Sequence, residues 1–127
     1  MPIRHINAAD AAAPAGQYSQ AVEVTGTTRT LYISGQVGID MAGNIPADVT
    51  AQSRLVWANI TAQLRAAGMT LDNLVKITTI MPSLDDLAAS RVARAEALGE
   101  RKPASTLIVG GLANTAWKIE IEAIAVA

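Results

Sequence analysis

Polar and apolar residues alternate along the C-terminal segment of the chain, residues 117–127. Lys118, Glu120 and Glu122 occupy every second position, and the residues between them are apolar. A period of two residues is typical of a β-strand that buries one face. After Glu122 the polar face also becomes apolar. We therefore predict a C-terminal strand whose outer face is polar only in its first half.

Further segments rich in β-branched residues predict more strands. They are Ala21–Val24, Thr30–Ile39, Asn73–Met81 and Ser105–Gly110. The sequence TGTT at residues 25–28 is typical of a hairpin turn, which predicts that the first two of these strands pair. Residues 1–17 contain Pro14 and Gly16, which interrupt regular structure, so we expect this segment to be irregular.

Two segments have the three- and four-residue spacing of apolar positions that is typical of amphipathic helices. For the first helix, Asp48 suits the N-cap and Gly68 suits the position after the last turn. For the second, Ser83 and Asp86 resemble a capping box. The predicted buried stripes are Val49, Ser53, Val56, Ile60, Leu64 and Ala67 in the first helix, and Leu84, Leu87, Ala88, Val92, Ala95 and Leu98 in the second.

The length predicts one domain over residues 1–127, and two helices of this kind can cover one face of its sheet. The other face of the sheet is then left without a covering layer. Because that face is partly apolar, we expect another subunit to cover it. The pattern alone thus predicts a homo-oligomer without fixing the number of subunits.

The composition narrows the possible chemistry. The chain has no cysteine and a single histidine, His5, which excludes disulfides, a thiol nucleophile and a thiolate or His-rich metal site. We expect neither a metal nor an organic cofactor. The net charge of −1 and the lack of a basic cluster argue against a nucleic-acid partner. No apolar run approaches the ~18 residues of a membrane span and no signal peptide is visible, so we expect a cytoplasmic protein.

Several motifs, taken in order, resemble the RidA/YjgF family of reactive-intermediate imine/enamine deaminases. They are GQYSQAV at residues 16–22, ISGQVGID at 33–40, AAGMTLDNLVKITTIMPSLDDLAA at 66–89 and KIEIEAIAVA at 118–127. The resemblance implies a chorismate-mutase-like α+β fold with a mixed sheet, a homotrimer, and small-molecule clefts between its subunits. It implies hydrolysis of a reactive C=N compound as the activity.

Glu120 has two interpretations. A glutamate on a strand is most often solvated or paired with a cation across the sheet. At a subunit boundary it is partly desolvated and can serve as a general acid or base. The resemblance implies the second, because Glu120 matches the family's catalytic acid, which positions the water that attacks the C=N carbon. Glu122, on the same face, is expected to be a structural partner, for instance of Lys76.

The chain departs from the family at the arginine that anchors the substrate. Family deaminases carry P-A-R-S, whereas this chain has Pro103, Ala104, Ser105 and Thr106. A hydroxyl cannot copy the planar bidentate fork with which a guanidinium holds a carboxylate. We therefore expect a substrate other than the standard 2-aminoacrylate or 2-imino acid. The alternative is a non-catalytic trimer that binds a small molecule or a protein.

Another cation can replace the lost arginine. Arg91 falls on the predicted inward stripe of the second helix, where an unpaired arginine is unusual, so it is a candidate to line the cleft. Its alternatives are a snorkelling side chain and an intersubunit ion pair. Arg101, on a loop, is a second candidate. Arg94 is expected to be a solvated surface residue.

The remaining candidate site residues are carried over from the resemblance. Tyr18 would donate a hydrogen bond to the substrate or pack at an interface. Ser34 and Gly35 match the family's Ser-Gly element, in which the glycine either lets the backbone approach a ligand or forms a bulge. Thr106 and the backbone N–H of Leu107 would line the cleft at the start of the following strand.

Overall fold

The computed structural model describes residues 2–127. Its strands and helices are β1 Ile3–Ile6, β2 Ala21–Val24, β3 Thr30–Val37, α1 Val49–Ala66, β4 Leu74–Met81, α2 Leu87–Leu98, β5 Ala104–Val109 and β6 Glu120–Val126. Short 3-10 turns at Leu71–Asn73 and Leu84–Asp86 precede β4 and α2. This order of elements confirms the predicted α+β class.

Strands β3, β6, β4 and β5 form a mixed four-stranded sheet in that order. Strand β6 pairs antiparallel with both β3 and β4, whereas β4 and β5 are parallel. The alternating C-terminal segment is therefore a central strand. Its register places Glu120 beside Ile80 and Glu122 beside Thr78. Both carboxylates thus project from the middle of the sheet, on the same face.

The N-terminal segment differs from the expectation. Residues Ile3–Ile6 form a strand that pairs antiparallel with β2 in a separate two-stranded sheet. The predicted pairing of β2 with β3 is therefore wrong. The backbone N–H groups of Thr28 and Arg29 instead donate to the carbonyl of Ala127 at 2.9 and 3.0 Å. Strand β1 has only four residues, IRHI, which is too short to produce a recognisable alternation.

Helix α1 begins and ends as predicted. The side chain of Asp48 accepts a hydrogen bond from the N–H of Ala51 at 3.0 Å, and Gly68 follows the helix with a φ of +72°. Only glycine adopts this left-handed conformation without strain. The predicted stripe is buried from Val49 to Leu64. Trp57, which lies beside that stripe, is buried with it.

Gln52 on α1 is fully buried, and the sequence pattern did not single it out. Its side-chain amide donates to the carbonyls of Pro46 and Ala116 at 2.7 and 2.9 Å. Its Oε1 accepts from the backbone N–H of Lys118 at 2.8 Å. This one side chain therefore holds the loop before α1 and the loop before β6 against the helix.

Helix α2 presents a different face from the one predicted. The hydroxyl of Ser83 accepts from the N–H of Asp85 at 3.2 Å and caps the short 3-10 turn, so the expected capping box with Asp86 does not form. The buried residues of the helix are Ser90, Ala93 and Leu98. Val92, expected in the core, is 53% exposed. The predicted stripe begins at Leu84, which lies in the 3-10 turn. Because a 3-10 turn has fewer residues per turn than an α-helix, an α-helical spacing that starts there assigns the wrong face to α2.

The two faces of the four-stranded sheet have different surroundings. On the side of the helices, Ile77, Ile121 and Ala123 are at most 3% exposed and belong to the core. On the opposite side, here called the open face, Tyr32 is 75% exposed. The edge strand β5 also has exposed apolar side chains, including Val109. These exposed apolar surfaces support a homo-oligomer, which stays a prediction.

Neither helix in the described residues is both long and apolar enough to cross a membrane. The longer one, α1, has 18 residues and carries Arg54 and Arg65.

Candidate functional site

A cavity of about 370 Å3 lies between α2, the edge strand β5 and the segment that precedes β2. This volume is within the range that small organic ligands occupy. Its polar lining consists largely of predicted site residues and their neighbours: Gln17, Tyr18, Arg91, Arg94, Ser105 and Thr106. Leu107, another predicted site residue, lines it together with Trp57, Ile119 and Ile121. The fold therefore brings Tyr18, Arg91, Ser105, Thr106 and Leu107 together in one place.

Arg94 contradicts the expectation of a solvated surface residue. Its side chain is half-buried, and its Nη2 donates to the carbonyl of Gln17 at 2.5 Å and to the Oγ of Ser105 at 2.9 Å. Burial lowers the pKa of Arg94, and the positive charge of Arg91 lowers it further. The guanidinium thus reaches, from α2, the position on β5 where the resemblance places the family's arginine.

The two cations expected to replace that arginine are placed differently. Arg91 lines the cavity, one helical turn before Arg94, but it lies on the exposed side of α2 and not on the buried stripe. Arg101 does not line the cavity, because its Nε donates to Asp72 at 2.7 Å in a surface ion pair. Arg91 therefore remains a candidate for ligand binding, and Arg101 does not.

The cavity lining, within the described residues, contains two guanidinium groups and no carboxylate. Serine, threonine, tyrosine and glutamine supply its other polar groups. Among residues 2–127 no group of three or more His, Cys, Asp or Glu side chains is arranged to hold a metal ion. The chemistry that this lining offers is positive charge and hydrogen-bond donation.

Tyr18 has a defined environment beside this lining. Its backbone N–H donates to the carbonyl of Gly16 at 3.0 Å, and its hydroxyl accepts from the N–H of Ala15 at 3.2 Å. These bonds close the segment into a compact turn. Because the phenolic oxygen accepts in this bond, its own proton remains available for donation to a ligand. The predicted role of Tyr18 as a donor is thus compatible with its geometry.

Glu120 lies on the other face of the sheet from this cavity. Its neighbours Ile119 and Ile121 both line the cavity, and the alternation of a strand directs Glu120 away from it, toward the open face. No hydrogen bond or ion pair engages its carboxylate within residues 2–127. One isolated chain therefore does not bring Glu120 into the same cavity as Arg91 and Ser105.

Strand β3 has a bulge where it passes Glu120. The register with β6 shifts between Ile33 and Gln36, so that Ser34 and Gly35 occupy the irregular position. A β-carbon at Gly35 would lie 2.4 Å from Oε2 of Glu120. Gly35 therefore forms part of a bulge, and the group that approaches its backbone closely within the chain is the carboxylate of Glu120.

Thr106 connects the two faces of the sheet. It lines the cavity, while its Oγ1 accepts a hydrogen bond from the Nζ of Lys76 at 2.7 Å. Lys76 therefore binds Thr106 in place of Glu122, the partner expected from the sequence. Lys76 and Glu122 line a second cavity of about 380 Å3 on the open face, together with Ser34.

The sequence contained a signal for Arg94. Leu87, Ser90, Arg91 and Arg94 all line the cavity, and their spacing of three and four residues places them on one side of a helix. Once Arg91 is assigned to a cleft, the same spacing assigns Arg94 to it. The incorrect phase of α2 concealed this relationship.

Comparisons with known proteins agree with the motifs. A model of the family described as endoribonuclease L-PSP matches residues 8–127. A goat (Capra hircus) protein named 2-iminobutanoate/2-iminopropanoate deaminase is 36% identical over 125 residues, which cover 97% of this chain and 89% of that protein. The Schizosaccharomyces pombe protein mmf2, named as mitochondrial, is 35% identical over 113 residues, which cover 87% of each protein.

The fold agrees as well. The crystal structure of YyfB from Yersinia pestis, a protein of the conserved Rid family, superposes with a TM-score of 0.84 at 33% sequence identity. The match covers 100% of both chains, so it includes the mixed sheet and both helices. The extent of these matches is sufficient to conclude that the chain belongs to the endoribonuclease L-PSP family, which is the RidA family that its motifs resemble.

Proposed function

We propose that this protein hydrolyses a reactive imine or enamine of low molecular mass. The observation that carries the proposal is the cavity of about 370 Å3 lined by Tyr18, Arg91, Arg94 and Ser105. It occurs in a chain that is 36% identical to a protein named as an imine deaminase. The size of the cavity suits a small molecule and not an RNA segment, which also needs a basic surface for its phosphates.

The proposed reaction is the addition of water to a C=N bond. Glu120 accepts a proton from the water as the water oxygen bonds to the imine carbon, and it then delivers that proton to the nitrogen. The resulting carbinolamine loses ammonia and leaves a carbonyl compound. The hydroxyl of Tyr18 and the backbone N–H of Leu107 hold the substrate, while Ser34 and Gly35 shape the region around Glu120.

We propose a homotrimer in which the clefts between subunits form the complete site. In a single chain Glu120 faces away from the cavity, so a site that uses both requires a second surface that joins them. The exposed apolar residues of the open face and of β5, Tyr32 and Val109 among them, support such a contact. Sedimentation equilibrium or light scattering tests this point, since a monomer in solution would contradict it.

The substrate class depends on residue 105. A charge-assisted hydrogen bond contributes about 1.5–3 kcal/mol, so replacing arginine by Ser105 at that position lowers carboxylate binding by roughly 10–100-fold unless another cation compensates. Without such a cation, Ser105 implies a substrate other than the standard 2-imino acid.

The second candidate is a trimer that binds a small molecule or a protein without catalysis. The observation in its favour is the position of Glu120, on the opposite face from the cavity within one chain. It also agrees with Ser105 at the position of the anchoring arginine. The two candidates differ in the effect of substituting Glu120, which lowers turnover in the first and changes only binding in the second.

An imine-trapping assay tests the proposal. An amino-acid oxidase generates imines in situ, semicarbazide traps those that survive, and the protein is added as wild type or as Glu120→Gln. We expect the wild type to lower semicarbazone formation for at least one imine in a panel with neutral and acidic side chains, and Glu120→Gln to have no effect. Identical trapping with and without wild-type protein across the panel would reject the hydrolase.

The cytoplasm is the location that we propose for the protein. One relative is named as mitochondrial, so the compartment is a separate question from the family. Fractionation of the source cells with an antibody to the protein decides it, and recovery in another compartment would overturn the proposal.

A further inference from the structure

Arg94 is a half-buried cation without a counter-ion among residues 2–127. Its Nη2 is bonded to two neutral oxygens, those of Gln17 and Ser105, and none of the residues lining the cavity is an aspartate or glutamate. Removing a charge from water is costly unless an opposite charge or a full set of hydrogen bonds offsets the loss. Here the Nε of Arg94 is also buried without an acceptor among residues 2–127. Within the described residues, the guanidinium of Arg94 therefore lacks both a counter-ion and an acceptor for its Nε–H.

A second hydrogen-bond donor, on another side chain that lines the cavity, also lacks an acceptor. Trp57 is 3% exposed and lines the cavity, and its Nε1–H has no acceptor within the described residues. Buried N–H groups are nearly always paired, with protein, water or ligand. Within residues 2–127, the side chains of Trp57 and Arg94 thus leave two donors unpaired in the walls of this cavity.

Arg91 adds a second positive charge. It lines the cavity three residues before Arg94, on the same helix, and it forms no ion pair within residues 2–127. Its charge acts on Arg94 and lowers the pKa of that guanidinium. Two like charges at this spacing repel each other, and an anion bound beside both offsets that repulsion. The two side chains differ in their surroundings, because two hydrogen bonds hold Arg94 whereas Arg91 is exposed.

We propose that the cavity binds a small dianion, with one carboxylate on Arg94 and the second negative group on Arg91. Arg94 then supplies from α2 the guanidinium that β5 lacks at Ser105, and Arg91 sets the preference for a second charge. The inference rests on the proposed function, which it makes more specific: the substrate is a small imine that bears two acidic groups. It also changes the expectation drawn from Ser105, since a carboxylate is still bound, but by a residue of the helix.

Binding of stable 2-oxo acids tests the proposal independently of catalysis, because these are the products of imine hydrolysis. Isothermal titration calorimetry compares the dianion 2-oxoglutarate, the monoanion 2-oxobutanoate and the neutral 2-oxobutanamide. We expect the wild type to bind them in that order of decreasing affinity. Equal affinities, or no binding of the dianion, would overturn the proposal.

Single substitutions assign the two charges. Arg91→Gln is expected to lower the affinity for 2-oxoglutarate by about 10-fold or more, to that of 2-oxobutanoate, and to leave the latter nearly unchanged. Arg94→Gln is expected to lower the affinity for both anions by roughly 10–100-fold. Arg65→Gln is the matched control, because it removes the same charge from an exposed position of α1 outside the cavity. A similar loss of anion affinity in Arg65→Gln would show that the effect comes from net charge alone, and it would reject the proposed site.

Arg94 also holds Gln17, so its substitution can loosen the segment that carries Tyr18. The double variant Arg94→Ser/Ser105→Arg separates the two effects, because it returns a guanidinium to the same place from β5. Restored binding of both anions is expected. Failure of the double variant to bind, with a native thermal melt, would contradict the proposed role of Arg94.

The outcomes also distinguish this inference from the proposed function. Anion binding in the expected order without turnover of any imine would reject the hydrolase and leave the anion site in place. Turnover of neutral and acidic imines at equal rates, with equal affinities for the three probes, would leave the hydrolase and reject the dianion.

Discussion

The carboxylate of Glu120 lies in the space that a side chain at Gly35 would fill. A β-carbon on Gly35 would be 2.4 Å from Oε2 and 2.6 Å from Cδ of Glu120, distances that non-bonded atoms do not adopt. Gly35 has no left-handed φ, so its conformation alone does not require glycine. The glycine leaves room for the carboxylate in this position, where a central strand and a bulge bring the carboxylate and the neighbouring backbone together.

Gly35→Ala tests this relationship. The new methyl group displaces the carboxylate of Glu120, and a shift of about 1 Å in a reacting group costs roughly 100-fold in rate. We expect imine hydrolysis to fall by about that factor while the melting temperature changes little. Assays of turnover and thermal unfolding on the same preparations measure both effects.

Gly38→Ala is the matched control for that substitution. A β-carbon at Gly38 would lie 2.5 Å from Cβ and 2.7 Å from Cα of Gln52, so it collides with the backbone of α1 and not with the end of a side chain. We expect it to lower the free energy of unfolding by about 1–3 kcal/mol, as overpacking does. If both variants lose stability equally, the assignment of Gly35 to the carboxylate is wrong.

Glu120→Gln removes the proposed base and keeps the shape of the side chain. General-base catalysis contributes about 10²–10⁴-fold, so we expect kcat to fall by a factor in this range. The affinity for 2-oxoglutarate should stay unchanged, because the anion is held by α2. Glu122→Gln, two residues along the same face, is the control and should retain activity. An equal loss in both variants would indicate a general effect of charge on the open face.

The parts of the fold that follow from local pattern were predicted from the sequence. The alternation around Glu120 defines β6, and Asp48 and Gly68 give the ends of α1 within a residue. Strand pairing was not predictable in the same way, because it depends on contacts between distant segments. The N–H groups after β2 bind Ala127 at the end of the chain, a partner that no local turn signal reveals.

The resemblance named candidate site residues but not their geometry. It identified Tyr18 and Ser105 as candidates, and both line the cavity. It gave Arg94 no role, because the family's cation comes from another element. Nor did it reveal that Glu120 and Ser105 project from different faces of one sheet. Helix phase and sheet face are set by packing, which a motif does not encode.

Gln52 is expected to be a major determinant of stability. Replacing it with alanine leaves the carbonyls of Pro46 and Ala116 and the N–H of Lys118 without their partner, and creates a cavity in the core. We expect Gln52→Ala to lower the free energy of unfolding by about 2–4 kcal/mol. Urea unfolding followed by circular dichroism measures the loss. Gln63→Ala, at an exposed position of the same helix, should change it by less than about 0.5 kcal/mol, and equal losses would reject this role.

The ion pair between Arg54 on α1 and Glu96 on α2 should make stability depend on acid pH. Arg54 donates two hydrogen bonds to the carboxylate, at 3.1 and 3.0 Å, and these bonds lower the pKa of Glu96 below its ordinary value of 4.5. A carboxylate with a lower pKa in the folded state binds protons more weakly there than in the unfolded chain. Its contribution is therefore complete above pH 4.5 and is lost as the pH falls through the folded pKa.

Thermal melts of the wild type and Glu96→Gln across this range measure the effect. The wild type should melt at a higher temperature near neutral pH, and the difference should shrink as the solution becomes more acidic. Because both side chains are exposed, we expect the difference to be small and to decrease with added salt. A difference that is constant down to low pH would mean that Glu96 stabilises the helix pair by packing alone and not by its charge.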